Sequence, residues 1–329
     1  MSAERRAVID VGTNSVKLLV AEVDGATVAP VWEEGNQTRL GEGFYETRVL
    51  QPAAIERTAR AVGEFANAAR SHGAAGVRVI ATSAAREARN PQDLVEAIRA
   101  QCGLPVEIIS GDVEARWAHA GVRTDPALAG QRLLIMDTGG GSTELILSGP
   151  EGPVKEKSFP LGAVRLLERL RPGDPPSAAQ LAECRARARE VAASEIVPFL
   201  GPALASAPAR LVGSGGTAAV LMRMHLGIES YNRQALEAGR LTAAEVTAWV
   251  ERLWSLPLAQ RRQIKGLPPP RADVMLTGAV IFETVMGALR LDALRVSTRG
   301  LRFAAVREGW SQALAAPAAP ARPSTLPMA

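Results

Sequence analysis

Aromatic side chains are scarce: Phe, Trp and Tyr make up 4% of the 329 residues. Proteins that hold single-stranded nucleic acid by stacking bases need aromatic platforms, so this composition argues against a nucleic-acid partner. The two cysteines, Cys102 and Cys184, lie far apart in helix-like surroundings and form no metal-ligand pair. They read as buried or incidental thiols. His72, His119 and His225 are the only histidines, and none stands at metal-ligand spacing from another. No stretch reaches the ~18 uninterrupted apolar residues of a membrane span. The opening MSAERRAVIDVG enters a strand without an apolar leader region, so the expected location is cytoplasmic with no membrane partner. Charge of one sign is also nearly lacking in excess: 38 Lys and Arg face 34 Asp and Glu. That balance suits an anionic ligand without demanding one.

What is present is a globular composition, 47% hydrophobic and 22% charged, at a length that favours two domains. The chain also repeats itself. Residues 8–20 read VIDVGTNSVKLLV and residues 135–147 read IMDTGGGSTELIL. Asp10 matches Asp137, Gly12 matches Gly139 and Ser15 matches Ser142, with apolar triplets on both sides. Each copy predicts a strand, a tight D-x-G-x-x-S turn and a returning strand. Small residues in such a turn leave consecutive backbone N–H groups open to an anion. Each Asp ends a strand at the loop mouth, where a metal or its waters could sit. Two such loops predict two similar domains facing each other across a cleft. A third glycine turn, Val212-Gly213-Ser214-Gly215-Gly216-Thr217, reads as strand, turn and helix, and a helix N-terminus there would add further unpaired amides.

Between the copies, helical patterns (51–72, 91–101, about 112–122) alternate with strands (77–81 and 105–109), which predicts a sheet with covered faces. Residues 124–132 are the expected domain junction. Beyond 160 the pattern is mostly helical, with amphipathic spacing over 178–196, 243–255 and 271–290. A strand and turn are expected at 295–300, then a helix to about Ser311. The Ala/Pro-rich end, 313–329, is expected to be disordered.

An ordered set of segments then meets a known family. These are IDVGTNSVKLLV, ATSAAREARN (81–90), IISGDVEARWAHAGV (108–122), IMDTGGGSTELIL, SFPLGAVRL (158–166), LVGSGGTAAVL (211–221), RADVMLTGAVIFETVM (271–286) and STRGLR (297–302). Over about residues 6–310 the chain resembles the exopolyphosphatase/guanosine pentaphosphate phosphatase (Ppx/GppA) family. The resemblance implies an α/β fold of two actin-like (ASKHA, ribonuclease H-like) domains, 1–126 and 127–300, flanking a central cleft. A C-terminal helix at about 301–312 would return to the first domain. It implies Glu114 as general base, Arg86 as a cationic clamp on the scissile phosphate, and Asp137 and Glu144, with Asp10, as carboxylates near Mg²⁺ or Mn²⁺. Gly12, Thr13, Asn14 and Ser15, and Gly139, Gly140, Gly141 and Ser142, would cradle phosphates. Lys17 would help hold them, and Gly215 and Gly216 would line the cleft. A homodimer is implied too.

The departures are specific. The family's first loop usually reads G-S-N-S-x-R, so Lys17 puts a point charge where a planar, bidentate guanidinium is frequent. The family's GLREG near the C-terminus is GLRFA here. The chain resembles the short form, without the additional helical domain of long members.

Phosphoanhydride hydrolysis needs cations for a charged chain, donors around the transferred phosphoryl group and a group that aims water in line. The two backbone loops, Arg86 and Mg²⁺ would supply the first two, and Glu114, as the resemblance implies, the third. Acids are favoured at helix starts in any case, so the position of Glu114 alone does not assign it. Lys155, Lys157 and Arg165 either extend a polyanion path or form a solvated face. Inorganic polyphosphate is the expected substrate, with guanosine pentaphosphate as the alternative. A weakly active nucleotide or polyphosphate sensor, and an ATP-using kinase or ATPase, stay open.

Overall fold

A computed structural model describes residues 3–308 and Trp310. The tail expected at 313–329 lies outside the described residues, as does the end of the helix expected to reach about 312. Among the described residues no helix is long and apolar enough to cross a membrane.

Two mixed sheets form the frame. The first has strands β1 (Glu4–Val11), β2 (Val16–Asp24), β3 (Thr27–Asn36), β4 (Gly76–Ala81) and β5 (Val106–Ile108), in the order β3-β2-β1-β4-β5. The second has β6 (Leu133–Thr138), β7 (Thr143–Gly149), β8 (Gly152–Phe159), β9 (Arg210–Ser214), β10 (Arg240–Thr242) and β11 (Ala293–Val296), in the order β10-β11-β9-β6-β7-β8. Each begins as an antiparallel three-strand meander, and each then adds parallel strands through helical crossovers. The edge strand β10 is the second sheet's addition. The register of the first hairpins is also the same: Asp10 pairs with Lys17, and Asp137 with Glu144. The repeat read in the sequence is therefore a repeat of structure, two actin-like domains.

Strand alternation sorts the core. Ala7, Ile9 and Val11 face the helices Pro52–Ser71 and Pro91–Cys102, while Val8 faces the opposite way with Leu19 and Ile80. In the second sheet Leu134 and Met136 point into the large helical core, and Leu133 and Ile135 point out of it. The helix Gly111–Val122 fills the space between the two outer faces. Its Trp117 joins Val8 and Phe303 on the first sheet, and its Ala115, Ala118 and Val122 join Ile135 and Val212 on the second. A boundary at 126 assigns this helix to the first domain, yet its side chains pack on both. The helix Leu301–Ala305 also returns to the first sheet, where Phe303 is buried and Arg302 Nη1 donates to Leu18 O at 2.7 Å.

One expected helix starts late. The pattern over 271–290 forms a helix only from Met275 to Ala288, after a 3₁₀ turn at Pro269–Arg271. The 3₁₀ turn takes Arg271, and Ala272–Val274 form a further turn before the helix begins. The strand expected at 295–300 is Ala293–Val296. The helical run 178–196 continues to Ser206 through a π-helical turn at Ala192–Ile196.

Candidate active site

The two glycine loops meet across the cleft. In the first, Gly12 N donates to Ser15 O at 3.1 Å; in the second, Gly139 N donates to Ser142 O at 2.9 Å. The carbonyls of both loops are held from behind. Thr13 O accepts from Gly41 N (2.8 Å) and Asn14 O from Arg39 N (3.0 Å). Gly139 O accepts from Ala163 N (3.0 Å), and Gly140 O from Val164 N (2.8 Å) and Arg165 N (3.0 Å). In a planar trans peptide the carbonyl and the following N–H point in opposite directions. The amides of Asn14 and Ser15, and those of Gly140 and Gly141, are thus turned away from these anchors. Among the described residues they donate to no backbone acceptor, and all four residues line one cavity of about 640 Å³. The arrangement is an anion cradle made twice.

Between the loops stands a group of carboxylates. Glu114 lies in the first turn of the helix Gly111–Val122, whose N-cap Ser110 accepts from Val113 N at 3.2 Å. Asp10 and Asp137 occupy equivalent positions on β1 and β6, and Glu144 sits opposite Asp137 on β7. Asp10, Glu114 and Glu144 are buried. Burial pushes the Glu114 carboxyl up to about 7; Arg86 opposes that shift, and Asp10 and Asp137 add to it. Burial and the nearby Glu114 and Asp137 raise Glu144 well above the usual carboxylate range. Burial also raises Asp10, against the pull of Lys17 and Arg302. Lys17 is itself lowered by burial, which its partner Asp10 opposes.

The third loop closes the floor. Gly215 has φ +79°, and a Cβ there would strike the Asp137 carboxylate, while Ser214 Oγ donates to Asp137 Oδ2 at 2.7 Å. The helix Gly215–Leu226 starts at this point, as its glycines predict. Gly215 and Gly216 both line the cavity.

Nearly every residue singled out from the sequence is therefore in one place. Asp10, Gly12, Thr13, Asn14, Ser15, Lys17, Glu114, Asp137, Gly139, Gly140, Gly141, Ser142, Glu144, Gly215 and Gly216 all line the cavity. Arg86 does not. Its Nη1 donates to Glu114 Oε2 at 2.8 Å and to Ile109 O at 3.0 Å, and it borders a separate side cavity instead. Ser142 lines both cavities, so Arg86 stands beside the main one, ion-paired with Glu114.

The basic stretch resolves into local contacts. Lys155 Nζ donates to Phe199 O at 2.9 Å, Lys157 pairs with Glu195 at 3.0 Å, and Arg165 pairs with Glu87 at 2.6 Å. None of the three lines the main cavity. His119 hydrogen-bonds Ser148 Oγ at 2.8 Å and His72 stacks on Trp32, in keeping with structural roles. Sequence reading missed Arg223, Arg271 and Arg302, which bring three guanidinium groups to the cavity, together with Tyr231. Arg302 lies in the STRGLR segment, so that motif was a signal. Tyr231 carried none.

For a metal, the donors are all carboxylate oxygens, a hard set. Asp10 Oδ1 is buried without a hydrogen-bond partner. Among the described residues no three acidic, His or Cys side chains form a cage by themselves. That donor set fits Mg²⁺, which keeps waters and phosphate oxygens and takes only one or two carboxylates. It does not fit a dedicated structural site.

Two facing amide cradles, a carboxylate cluster and a cation-lined cavity between actin-like lobes define a phosphoryl-handling protein. The model of the Ppx/GppA phosphatase family matches residues 19–309, and the chain belongs to that family. It is 34% identical to exopolyphosphatase 2 of Mycobacterium tuberculosis over 316 residues, covering 90% of this chain and 96% of that one. Exopolyphosphatase 1 of Mycobacterium leprae is 30% identical, with 91% and 87% covered. Among solved structures, an exopolyphosphatase from Cytophaga hutchinsonii matches with a TM-score of 0.81 at 26% identity, covering 92% and 96%. The Aquifex aeolicus Ppx/GppA enzyme matches at 0.73 and 28%, covering 92% and 99%. The protein is thus a phosphatase-family hydrolase.

Proposed function

We propose that this protein is an exopolyphosphatase that hydrolyses the terminal phosphoanhydride of inorganic polyphosphate and releases orthophosphate, with Mg²⁺ (or Mn²⁺) as its ion. The observation that carries this reading is the pair of opposed amide cradles with Glu114 beside them, in a cavity whose remaining charges include Lys17, Arg223, Arg271 and Arg302. These groups recognise phosphates. The names of the relatives agree with the reading.

In this mechanism the two loops hold the terminal phosphoryl group and donate hydrogen bonds to its oxygens, which matters most as charge spreads over them. Glu114, with its carboxyl pushed up to about 7, is poised to take a proton from water at neutral pH. The water oxygen forms a bond to the terminal phosphorus, the bond from that phosphorus to the bridging oxygen breaks, and the shortened chain leaves with the electron pair. Asp137 and Glu144, with Asp10 behind them, would hold the ion. When bound, Mg²⁺ supplies positive charge to the phosphate oxygens.

A second reading, hydrolysis of guanosine pentaphosphate, is favoured by Tyr231, which borders the cavity and is 52% exposed, offering a face to a purine ring. The test is phosphate release from polyphosphates of several lengths, guanosine pentaphosphate and ATP, side by side with Mg²⁺. The first should give the highest kcat/KM, with chains shortening from their ends. A preference for the guanine nucleotide would support the second reading. Cleavage in mid-chain would overturn the end-cleaving mechanism, and tight binding without turnover would make the protein a sensor.

A further inference from the structure

The second loop has a third anchor, and it crosses the cleft. Arg165 is 3% exposed on the helix Ala163–Leu170, which follows β8. Its Nε donates to Gly141 O at 2.8 Å, and its Nη2 donates to Glu87 Oε1 and Oε2 at 2.6 and 2.8 Å. Glu87 belongs to the helix Ser83–Glu87 of the other lobe, where it also accepts from Ser83 Oγ at 2.9 Å and pairs with Arg48. The neighbouring Arg86 of that short helix is the residue bonded to Glu114. One helix therefore reaches the glycine loop of one lobe through Glu87 and the carboxylate at the cavity floor through Arg86.

The Gly139 and Gly140 carbonyls are held by backbone amides, but the Gly141 carbonyl is held by this one side chain. With that carbonyl drawn to Arg165, the Ser142 N–H in the same planar peptide points the other way. Ser142 lines the main cavity, and among the described residues its N–H donates to no protein acceptor.

We propose that Arg165 is a positioning residue for phosphoanhydride hydrolysis: its buried guanidinium fixes the Gly141–Ser142 peptide so that the Ser142 amide faces the phosphoryl group, in register with Glu114. The inference rests on the hydrolase reading above. Lysine cannot replace the fork. It keeps a charge beside Glu87 but does not present a rigid pair of donors to two acceptors at once.

The test uses Arg165→Lys and Arg165→Met in the full chain, with steady-state kinetics on polyphosphate and hydrogen exchange of backbone amides. Removing one oriented donor of this kind costs roughly 10²–10³-fold in rate, and a loosened one less, so kcat should fall by about tenfold or more. KM should change little. Exchange should rise at the Gly139 amide, which the loop protects by its bond to Ser142 O, and stay parental in the β6 and β7 cores. If Arg165→Met does not fold, Arg165→Lys decides. A folded Arg165→Lys with parental kcat and parental loop exchange overturns the proposal. So does exchange that rises evenly across the lobe, with kcat parental well below the melting temperature, because that is a structural role only. If the parent releases no phosphate from polyphosphate, the substrate reading falls separately. The exchange pattern then decides on its own: a selective rise supports the positioning role and parental exchange overturns it.

Discussion

At the scale of the residue, the sharpest claim is that Glu114 is the base and that Arg86 tunes it. Glu114→Gln keeps the shape and an oxygen for Arg86 but cannot accept a proton. It should lower kcat by roughly 10²–10⁴-fold while KM for polyphosphate stays near parental. A variant keeping about a tenth of the parental rate or more would remove Glu114 from the role. The pH dependence follows from the same environment. A base must be ionised, so kcat/KM should rise with pH through an acidic limb set by a carboxyl near about 7. Arg86 is the favourable neighbour that holds this carboxyl down. Arg86→Met should therefore move the limb to higher pH, and a limb that stays in place would show that another group titrates there. From sequence alone, Arg86 was named through the family resemblance as a cation of the site, but its partner was not. An arginine on a short helix can reach in several directions, and only the packing of that helix beside β5 and the helix Gly111–Val122 within the first domain decides which carboxylate it finds. Arg165 was ambiguous because it follows two half-buried lysines in the chain, while its own burial comes from a partner, Glu87, on the other lobe.

At the scale of the element, the glycine loops were legible because their chemistry is local. A D-x-G-x-x-S turn between apolar runs specifies a tight hairpin, and both copies formed with the same register, while the anchors that turn its amides into the cavity come from elsewhere in the chain. The far end of the cavity was legible only in part. Arg271 reaches it from the 3₁₀ turn Pro269–Arg271 and opens the segment RADVMLTGAVIFETVM, so the motif was its signal; Arg223 reaches it from the helix Gly215–Leu226, where no local signature marks it. The loops also carry a demand that a single hairpin would not have. A Cβ on Gly141 would press into the Ser83 and Tyr45 hydroxyls of the opposite lobe, and a Cβ on Gly140 would crowd Thr13 there. The glycines let the lobes approach. Gly141→Ala should therefore hold the lobes apart, lowering kcat while leaving the melting temperature of the separately packed cores nearly unchanged. Scattering should show a larger radius of gyration than the parent's. A compact variant with parental kcat would mean that the contact yields by side-chain movement alone.

At the scale of the whole molecule, closing the cleft gathers acids that the unfolded chain keeps apart. Asp10, Glu114 and Glu144 all have carboxyls raised by burial in the folded state. For such groups the folded form binds protons more tightly than the unfolded form. Their contribution to stability is complete below the ordinary carboxyl values, 3.8 for Asp10 and 4.5 for the two glutamates, and is lost as pH rises through their folded values, about 7 for Glu114. Folding is thus least favoured at the pH where the base is ionised, and the Mg²⁺ proposed above would offset that penalty by binding among the carboxylates. Binding to the folded state alone adds stability in proportion to RT ln(1 + [L]/Kd), about 2.7 kcal/mol when the ion stands at about 100 times its Kd. Because protons compete for the same oxygens, the gain should grow with pH. Calorimetry with and without millimolar Mg²⁺, at a pH near 5.5 and again near 8, should show a larger rise in melting temperature at the higher pH. Asp137→Asn, which removes charge from the exposed side of the cluster, should shrink that difference. An Mg²⁺ effect equal at both pH values, or equal in the variant, would place the ion elsewhere and leave the cluster to act on water and phosphate without it.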